Sequence, residues 1–406
     1  MASKKTCFTK KGKYVNVKNL TDESIFTVAF FLSIFFINFF YFKKQTNIMS
    51  QVSDILKRDM ELFYNDLNGE SEISHDTSDT ILVSDFTEYN PLHNGHFHCM
   101  KTAKGMFDES LFVAVVPGLF ERSGRGIPYI LPRQIRAEIA ISVGADIVVE
   151  GPPMGIMGSG QYSLCLCKMF QALNTDYIPR GYKPVEGIDE ILKRVNLGHH
   201  IASKPYRVVD KTSHETLLKG KLEEDNYVIT SFSNSLSKIG FDYRDKFIFV
   251  ERIEGVSGTL IRESIQKDNF DDVIDMMPQK TIEVLKREIK RGGIIYGVRD
   301  EEKILDTANT YSFEDLSGLN LFSDKLARNI VDNRPYTDLE TLEKSILQGF
   351  STHFKQRVLS ILENPIPKKT VSDYIDNYPS NIRLLGYKDK KSLKKFKEKV
   401  KNKKVL

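Results

Sequence analysis

The segment from Thr87 to His96 reads TEYNPLHNGH, and it joins a short apolar run, Ile81 to Ser84, to a stretch with helical periodicity. Pro91 fixes the approach of the backbone, and Gly95 has no side chain to hold the backbone away from a ligand. The first turn of a helix has free N–H groups and the positive end of the helix dipole, which together favour an anion. The segment therefore predicts a phosphate-binding loop between a strand and a helix.

Two histidines, His93 and His96, stand three positions apart in this loop, so both can face one phosphate group. Each imidazole can donate a hydrogen bond to an oxygen of a pentavalent phosphorus, where negative charge grows only in the transition state. A lone histidine is usually a structural residue, but a pair at this junction favours a functional role. A metal site is the weaker interpretation, because no carboxylate or third histidine stands at helical spacing with the pair. We predict that both histidines are catalytic.

A second anion-binding pattern, S-x-T-x-x-R, occurs at Ser257, Thr259 and Arg262. It follows an apolar run that ends near Arg252 and precedes another helical stretch. Serine and threonine suit the start of a helix, and an arginine one turn later can make a forked contact with phosphate oxygens. By itself this pattern is a common helix cap. Together with the histidine loop, it predicts a second phosphate site in which Arg262 is catalytic.

The chain between residues 80 and 280 alternates β-branched runs with stretches of helical periodicity. The predicted strands are Ile81–Ser84, Leu111–Val116, Ile147–Glu150, Asp176–Ile178 and Lys246–Arg252. The predicted helices are His96–Gly105, Arg133–Val143, Tyr162–Leu173 and Ile188–Asn196. This alternation is typical of a parallel sheet with helices on both faces, where ligands bind at the carboxyl ends of the strands. The sequence predicts an α/β fold, a Rossmann-like doubly wound parallel sheet, with a C-terminal helical domain.

The apolar N-terminal segment supports two interpretations. Ser24 to Phe42 are uncharged and long enough to cross a bilayer, which predicts a single membrane anchor. Alternatively, translation from Met49 gives a protein without this segment. The predicted divisions of the chain are 1–48, the apolar segment; 49–79, a helix and linker; 80–280, the α/β domain with both phosphate sites; 281–386, the helical domain; and 387–406, a lysine-rich tail.

The net charge of +4 is unevenly distributed. Ten lysines lie between residues 387 and 406, a run that usually indicates a solvated and partly disordered end. The body between the two basic ends is acidic, which does not favour a generally basic nucleic-acid-binding surface. A local patch or the lysine-rich end can still dock phosphates. The four cysteines form no framework, so we expect a reducing, cytoplasmic location.

Together, the H-x-G-H and S-x-T-x-x-R patterns resemble the nucleotidyltransferase superfamily that contains the phosphopantetheine and nicotinamide-mononucleotide adenylyltransferases. Within it, Glu88 to His96 are similar, nearly letter for letter, to the opening motif of the tRNA(Met) cytidine acetate ligase family. The likeness covers residues 80 to 365 and continues through several shorter stretches. These are Arg136–Glu138, Gly144–Asp146, Val149–Glu150, Glu314–Leu316 and Arg357–Leu362.

This resemblance implies that the enzyme binds ATP. No carboxylate cluster in the sequence indicates a protein-held metal, so we expect Mg²⁺ only as the ATP counter-ion that bridges phosphate oxygens. The implied chemistry is attack of acetate on the α-phosphate of ATP, followed by transfer of the acetyl group to the N4 amine of the wobble cytidine of tRNA(Met). The resemblance adds nucleotide contacts to the catalytic residues His93, His96 and Arg262. The expected nucleotide-binding residues are Glu88, Tyr89, Asn90, Pro91, Gly95, Gly181, Asn234, Arg252, Ser257 and Thr259.

The acceptor stays open at this point. Where the family has a basic segment in its C-terminal helices, this chain reads Leu347-Gln348-Gly349-Phe350-Ser351, although Arg125, Arg180 and Lys183 are candidates for positioning a substrate. An adenylyl- or cytidylyltransferase that acts on a small phosphorylated metabolite needs the same phosphate-binding groups. A non-catalytic nucleotide-binding module is the third alternative, and turnover by a protein with intact histidines excludes it.

Overall fold

The structure is a computed structural model that describes residues 79–117, 121–220, 222–297, 299–346, 352–400 and 405–406. The predicted membrane anchor, the alternative start at Met49 and the segment Leu347–Ser351 lie outside the described residues. Within the described ranges, no helix combines the length and the apolar character that a membrane crossing requires.

Strands and helices alternate as predicted over the first two thirds of the described chain. The strands are β1 Ile81–Phe86, β2 Ser110–Pro117, β3 Ile147–Gly151, β4 Ile178–Tyr182, β5 Ile201–Lys204, β6 Arg207–Asp210, β7 Thr216–Lys219, β8 Phe247–Glu251 and β9 Leu384–Tyr387. The helices of this part are α1 Asn94–Lys104, α2 Arg133–Val143, α3 Ser159–Ala172, α4 Ile188–Asn196, α5 Glu224–Lys238, α6 Gly258–Gln266 and α7 Gln279–Arg291. The remaining helices are α8 Glu301–Thr310, α9 Phe313–Gly318, α10 Asp324–Asp332, α11 Leu339–Ser345, α12 Thr352–Glu363, α13 Lys368–Asn377 and α14 Lys390–Lys399.

The central sheet has the strand order β9-β3-β2-β1-β4-β8. Strands β1, β2 and β3 pair in parallel, and β4 pairs in parallel with β8. A parallel bridge between Val83 and Tyr177, with a hydrogen bond from Ser84 N to Tyr177 O, joins β1 to the chain entering β4. The chain order reverses between β1 and β4, which is the switch point where open α/β sheets bind their ligands.

Both faces of the sheet are covered by helices, and the side chains along each strand alternate between them. Val113 and Val115 of β2 pack with Phe170 of α3 and Phe232 of α5, in the core of one face. Phe112, Ala114 and Val116 of the same strand pack with residues of α1, α2, α6 and α7, in the core of the other face. The predicted α/β, doubly wound parallel sheet is therefore confirmed, as is the helical region that follows it.

One expectation about local structure was wrong. The strand predicted at Asp176–Ile178 is displaced, because Asp176 and Tyr177 bond to Leu82 and β4 itself starts at Ile178. Part of the lysine-rich end is helical: after β9 returns to pair antiparallel with β3, Lys390 to Lys399 form α14. Phe396 and Lys399 are buried there, so one side of a lysine-rich helix belongs to the core.

The sequence also gave no signal for the three-stranded antiparallel sheet β5-β6-β7 between α4 and α5. Each of its strands has only four residues and mixes charged with apolar side chains, so neither length nor periodicity marks it. The proposed division of the chain at residues 280 and 386 stays a prediction.

Candidate active site

A cavity of about 580 Å³ opens at the carboxyl ends of β1 and β4, at the switch point of the sheet. Its volume lies in the range of small-molecule sites. The predicted residues that line it are Glu88, Asn90, His93, Gly95, His96, Gly181, Arg252, Ser257, Thr259 and Arg262. The structure thus brings the histidine loop and the S-x-T-x-x-R element to one cavity, although more than 150 residues separate them in the chain.

The histidine loop is held in place by buried polar contacts behind the cavity. Arg136 is fully buried on the face of the Tyr129 ring, and it donates hydrogen bonds to the carbonyl oxygens of Glu88, Leu131 and Pro117. The side-chain oxygen of Asn90 accepts a hydrogen bond from Ile130 N at 2.8 Å. The loop therefore has several fixed points on the backbone next to it, and its histidines are positioned before any ligand binds.

His93 and His96 stack on one another, with ring centroids 3.7 Å apart. His93 caps α1, and its Nδ1 accepts a hydrogen bond from Gly95 N at 3.2 Å. The Nδ1 atom of His96 in turn accepts from His93 N at 3.4 Å. Because each Nδ1 is an acceptor, the neutral tautomer of each ring has its proton on Nε2, so both rings have one N–H left to donate to a ligand.

Burial keeps both histidines neutral at physiological pH. It lowers the pKa of His93 to about 4, and the positive charges of Arg252 and Arg262 add to the effect. The pKa of His96 is also held well below its usual value, first by burial and then by His93 and Arg252. A neutral imidazole is a hydrogen-bond donor that does not lose a proton as it polarises a phosphate oxygen.

The S-x-T-x-x-R element lies directly against the histidines. Ser257 caps α6, and its hydroxyl accepts a hydrogen bond from Leu260 N. Arg262 donates to Asn90 O at 2.8 Å and to the Thr259 hydroxyl at 2.9 Å. A methyl group on Gly258 would lie 3.3 Å from His93 Cδ2 and 3.4 Å from Arg262 Nη1, so the imidazole and the guanidinium flank this glycine.

Glu88 connects the histidine loop to the loop that follows β2. Its Oε1 accepts a hydrogen bond from Gly124 N at 2.7 Å, and Arg125 next to that glycine lines the cavity. Burial raises the pKa of Glu88, against the hydrogen bond from Gly124 and the charges of Arg125 and Arg262. Glu88 thus fixes the second loop and is itself part of the lining.

A buried ion pair at the end of β1 was not predicted. Asp85 bonds to Arg180 at 2.9 Å, and the Arg180 guanidinium lies over the rings of Phe86 and Phe232. Burial raises the pKa of Asp85 to about 6, and Arg180 opposes that shift. The signal in the sequence is a charged residue near the carboxyl end of a buried strand, where α/β sheets place their functional groups.

Some of the predicted residues do not line the cavity. Tyr89 is buried behind it, with its ring edge on His96 at a centroid distance of 5.5 Å, and Pro91 lies with it in the loop. Asn234 is not in the lining, because its side-chain oxygen bonds to His200 Nε2 at 2.8 Å. Lys183, a candidate for positioning a substrate, instead pairs with Glu223 on the surface.

The C-terminal helices complete the wall of the cavity. His353 and Arg357 of α12 line it, opposite Tyr162 of α3 and Tyr227 of α5. Apart from the resemblance in the stretch Arg357–Leu362, no pattern in the sequence pointed to residues of this helix as part of the site. The cavity therefore lies between the sheet and the helical region, and it has room beyond the phosphate groups of a nucleotide.

Comparison with known proteins shows which family the chain belongs to. Residues 83–181 match the family described as HIGH Nucleotidyl Transferase, and residues 183–386 match the one described as Cytidyltransferase-related C-terminal region. A Methanocaldococcus jannaschii relative, named Uncharacterized protein MJ0951, is 43% identical over 342 residues, which are 83% of this chain and 94% of the relative. The fold and the site therefore define a nucleotidyltransferase. The chain belongs to the HIGH nucleotidyl transferase family, with its cytidyltransferase-related C-terminal region.

More distant relatives have names that describe an activity. The tRNA(Met) cytidine acetate ligase of Thermotoga maritima is 24% identical over 349 residues, which are 75% of this chain and 81% of that protein. The ligase of Caldanaerobacter subterraneus is 25% identical over 359 residues, with 77% and 85% covered. The crystal structure of Thermotoga maritima TmcAL bound with alpha-thio ATP shares the fold, with a TM-score of 0.66 at 20% identity over 80% of this chain and 85% of that one.

Proposed function

We propose that the protein activates acetate, or another small carboxylate, with ATP and transfers the acyl group to the N4 amine of a tRNA cytidine. The observation that carries the proposal is the convergence of His93, His96 and Arg262 on one cavity at the switch point of the sheet. The names of the ligase relatives and the ATP analogue in the Thermotoga maritima structure support the choice of reaction.

In the first step, a carboxylate oxygen forms a bond to the α-phosphorus of ATP, and the bond from that phosphorus to the bridging oxygen breaks. Pyrophosphate leaves with that oxygen, and an acyl-adenylate remains. The Nε2–H groups of His93 and His96 donate to the α-phosphate oxygens, and Arg262 with the free N–H groups at the start of α6 binds the departing phosphates. Mg²⁺, brought in with ATP, would bridge phosphate oxygens.

In the second step, the N4 amine of cytidine attacks the acyl carbon. AMP leaves with the oxygen that joined it to the acyl group, and the amine loses one proton. Among the described residues, no group of histidines, cysteines and carboxylates has the arrangement of a metal site.

The test uses the full chain with ATP, acetate and bulk tRNA. We expect pyrophosphate release that depends on acetate, and acetylated cytidine in the digested tRNA by mass spectrometry. Omission of acetate and the variant His96→Ala are the controls. The proposal is wrong if the wild-type protein releases pyrophosphate without acetate and leaves the tRNA unmodified.

A second candidate function is transfer of an adenylyl or cytidylyl group to a small phosphorylated metabolite. The observation that favours it is the number of arginines around the cavity, since Arg125, Arg180, Arg252, Arg262 and Arg357 all line it. A phosphate monoester would then replace the carboxylate as the nucleophile. Recovery of the nucleotide joined to a phosphate monoester in the same assay would identify this reaction. ATP binding with no turnover of any acceptor would instead indicate a nucleotide-binding module.

A further inference from the structure

Arg357 is a buried arginine, and among the described residues no carboxylate lies within ion-pair distance of its guanidinium. Only 8% of its surface is exposed, and among the described residues its one hydrogen-bond acceptor is Gly124 O. Its Nε–H is buried without a partner in the same part of the chain. A buried guanidinium without a counter-charge is destabilising, because its desolvation is not compensated.

Two other buried arginines near the cavity have such a partner, since Arg122 bonds to Glu363 at 2.8 Å and Arg136 to Glu121 at 3.1 Å. The half-buried Arg180 likewise bonds to Asp85 at 2.9 Å. Arg357 differs from these three arginines, and it lines the cavity. Uncompensated charges in a cleft are typical of binding sites, where the ligand supplies the opposite charge.

The surroundings of Arg357 differ from those of Arg262. Arg262 lies near Glu88, Arg125 and His93, in the part of the cavity assigned to the triphosphate. Arg357 instead lies near Tyr162 and Tyr227, which line the cavity with it, and the Tyr162 ring lies close to Gly124. The backbone of Gly124 lies between Glu88 and Arg357, since its N–H donates to Glu88 and its carbonyl oxygen accepts from Arg357. Arg357 therefore marks a second part of the cavity.

The helix that presents Arg357 is fixed to the loop of residues 122–127. Glu363 at the end of α12 is buried between Arg122 and Arg299, at 2.8 and 3.3 Å. Arg299 also donates to Gly126 O at 2.6 Å. A methyl group on Gly126 would lie 2.5 Å from Arg357 N, so the loop backbone packs directly on α12. The backbone that carries Arg357 is therefore held against this loop.

We propose that Arg357 binds the oxyanion of the second substrate, beside Tyr162 and Tyr227. This inference rests on the proposed function, under which the oxyanion is the carboxylate that attacks ATP. A carboxylate and a phosphate monoester each present two oxygens to a guanidinium, so both can accept its forked pair of hydrogen bonds. Arg357 selects an anionic nucleophile, whereas the histidine loop and α6 bind ATP.

The test measures binding to the full chain without turnover. The ATP part of the cavity is filled with an α,β-methylene analogue, which cannot release pyrophosphate, and the second ligand is acetate or methyl phosphate. Isothermal titration gives the Kd of the analogue, and ligand-detected NMR gives the Kd of each anion. For Arg357→Gln, we expect the Kd of the preferred anion to rise at least about tenfold, as for loss of a charged hydrogen bond. The Kd of the analogue should change by less than about twofold, a ratio worth under half a kcal/mol.

Two further measurements keep the result interpretable. Lys355→Gln, on the same helix and bonded only to the carbonyl of Glu343 among the described residues, should change neither Kd. If Arg357→Gln does not fold, nuclear Overhauser contacts from the acetate methyl group to tyrosine rings test the position of the anion in the wild-type protein. Arg357→Lys, which keeps the charge but not the fork, should weaken anion binding less than Arg357→Gln.

The outcomes separate this inference from the function on which it rests. If the wild-type protein does not bind the ATP analogue, the proposed function fails. If it binds the analogue but the Kd of both anions is unchanged in Arg357→Gln, the inference fails and the function stands. Binding of methyl phosphate in preference to acetate, with the same dependence on Arg357, supports the inference and favours the second candidate function.

Discussion

The two edges of the central sheet use charged residues in different ways. At the amino edge, Asp146 and Asp176 accept backbone N–H groups of neighbouring strands, and Lys388 and Lys399 of the lysine-rich end pair with them. At the carboxyl edge, Arg180 pairs with Asp85, but Arg262 and Arg357 have no carboxylate within ion-pair distance among the described residues. The amino edge thus uses its charges for the fold, whereas the carboxyl edge also has charges that we propose bind a ligand.

The largest effect should come from the histidines at the carboxyl edge. His96→Ala and His93→Ala each remove a donor to the α-phosphate, and we expect kcat for pyrophosphate release to fall about 10²–10³-fold. The Kd of ATP should change by less than about tenfold, because these contacts strengthen in the transition state. His98→Ala, on the same helix but away from the cavity lining, is the matched control. An equal loss in that control would contradict the assignment.

The next effect concerns the ion pairs that join the helical region to the loop at the carboxyl edge. Glu363→Gln leaves Arg122 and Arg299 buried with a neutral partner, and we expect the free energy of unfolding to fall by about 3–5 kcal/mol. Urea denaturation measures this change. Glu340→Gln, which breaks an exposed pair with Lys344, is the control and should leave the midpoint unchanged. A small loss in both variants would show that the buried cluster does not hold the loop.

The pH dependence of stability should report the buried state of His93. Its pKa is about 4 in the folded protein and near 6.5 when unfolded, so the unfolded chain binds the proton first as the pH falls. Between pH 6.5 and pH 4, the free energy of unfolding of the wild type should therefore fall by about 3 kcal/mol more than that of His93→Gln. Asp85, whose pKa is raised to about 6, acts in the opposite direction, so the two proteins must be compared at each pH. If the free energies of unfolding of the two proteins fall equally as the pH falls, the lowered pKa of the buried His93 is contradicted.

The smallest effect is expected at the amino edge. Lys395 of α14 pairs with Glu109 at 3.1 Å on the surface, and such exposed pairs contribute little because water and salt screen them. Lys395→Gln should shift neither the urea midpoint nor the Kd of ATP. A clear loss of ATP affinity in this variant would mean that the two edges are coupled, and the comparison would no longer hold.

The sequence predicted what depends on local patterns. His93, His96 and Arg262 lie at junctions between strands and helices, where residue type and spacing are enough to indicate an anion site. The α/β alternation likewise depends on short-range periodicity. For these reasons the fold was predicted correctly, and the two motifs were correctly expected to meet.

The residues that were missed depend on contacts between distant parts of the chain. The ion pair of Arg122 and Glu363 spans 241 positions, and nothing near either residue indicates the other. In α14, the abundance of lysine obscured the single buried Phe396. Asn234 was matched by letter to a nucleotide contact, and its carboxamide oxygen bonds to His200, so its role as a nucleotide contact stays a prediction.

The position of β9 has a consequence for how the protein reaches its native state. Because Leu384–Tyr387 pair with β3, the hydrogen-bonding edge of β3 stays open during synthesis until residues 384–387 have also left the ribosome. Until then, that edge is available to strands of other nascent molecules. Truncation ahead of Leu384 would make this exposure permanent, so shortened forms should be prone to aggregate even though every residue of the cavity is still present.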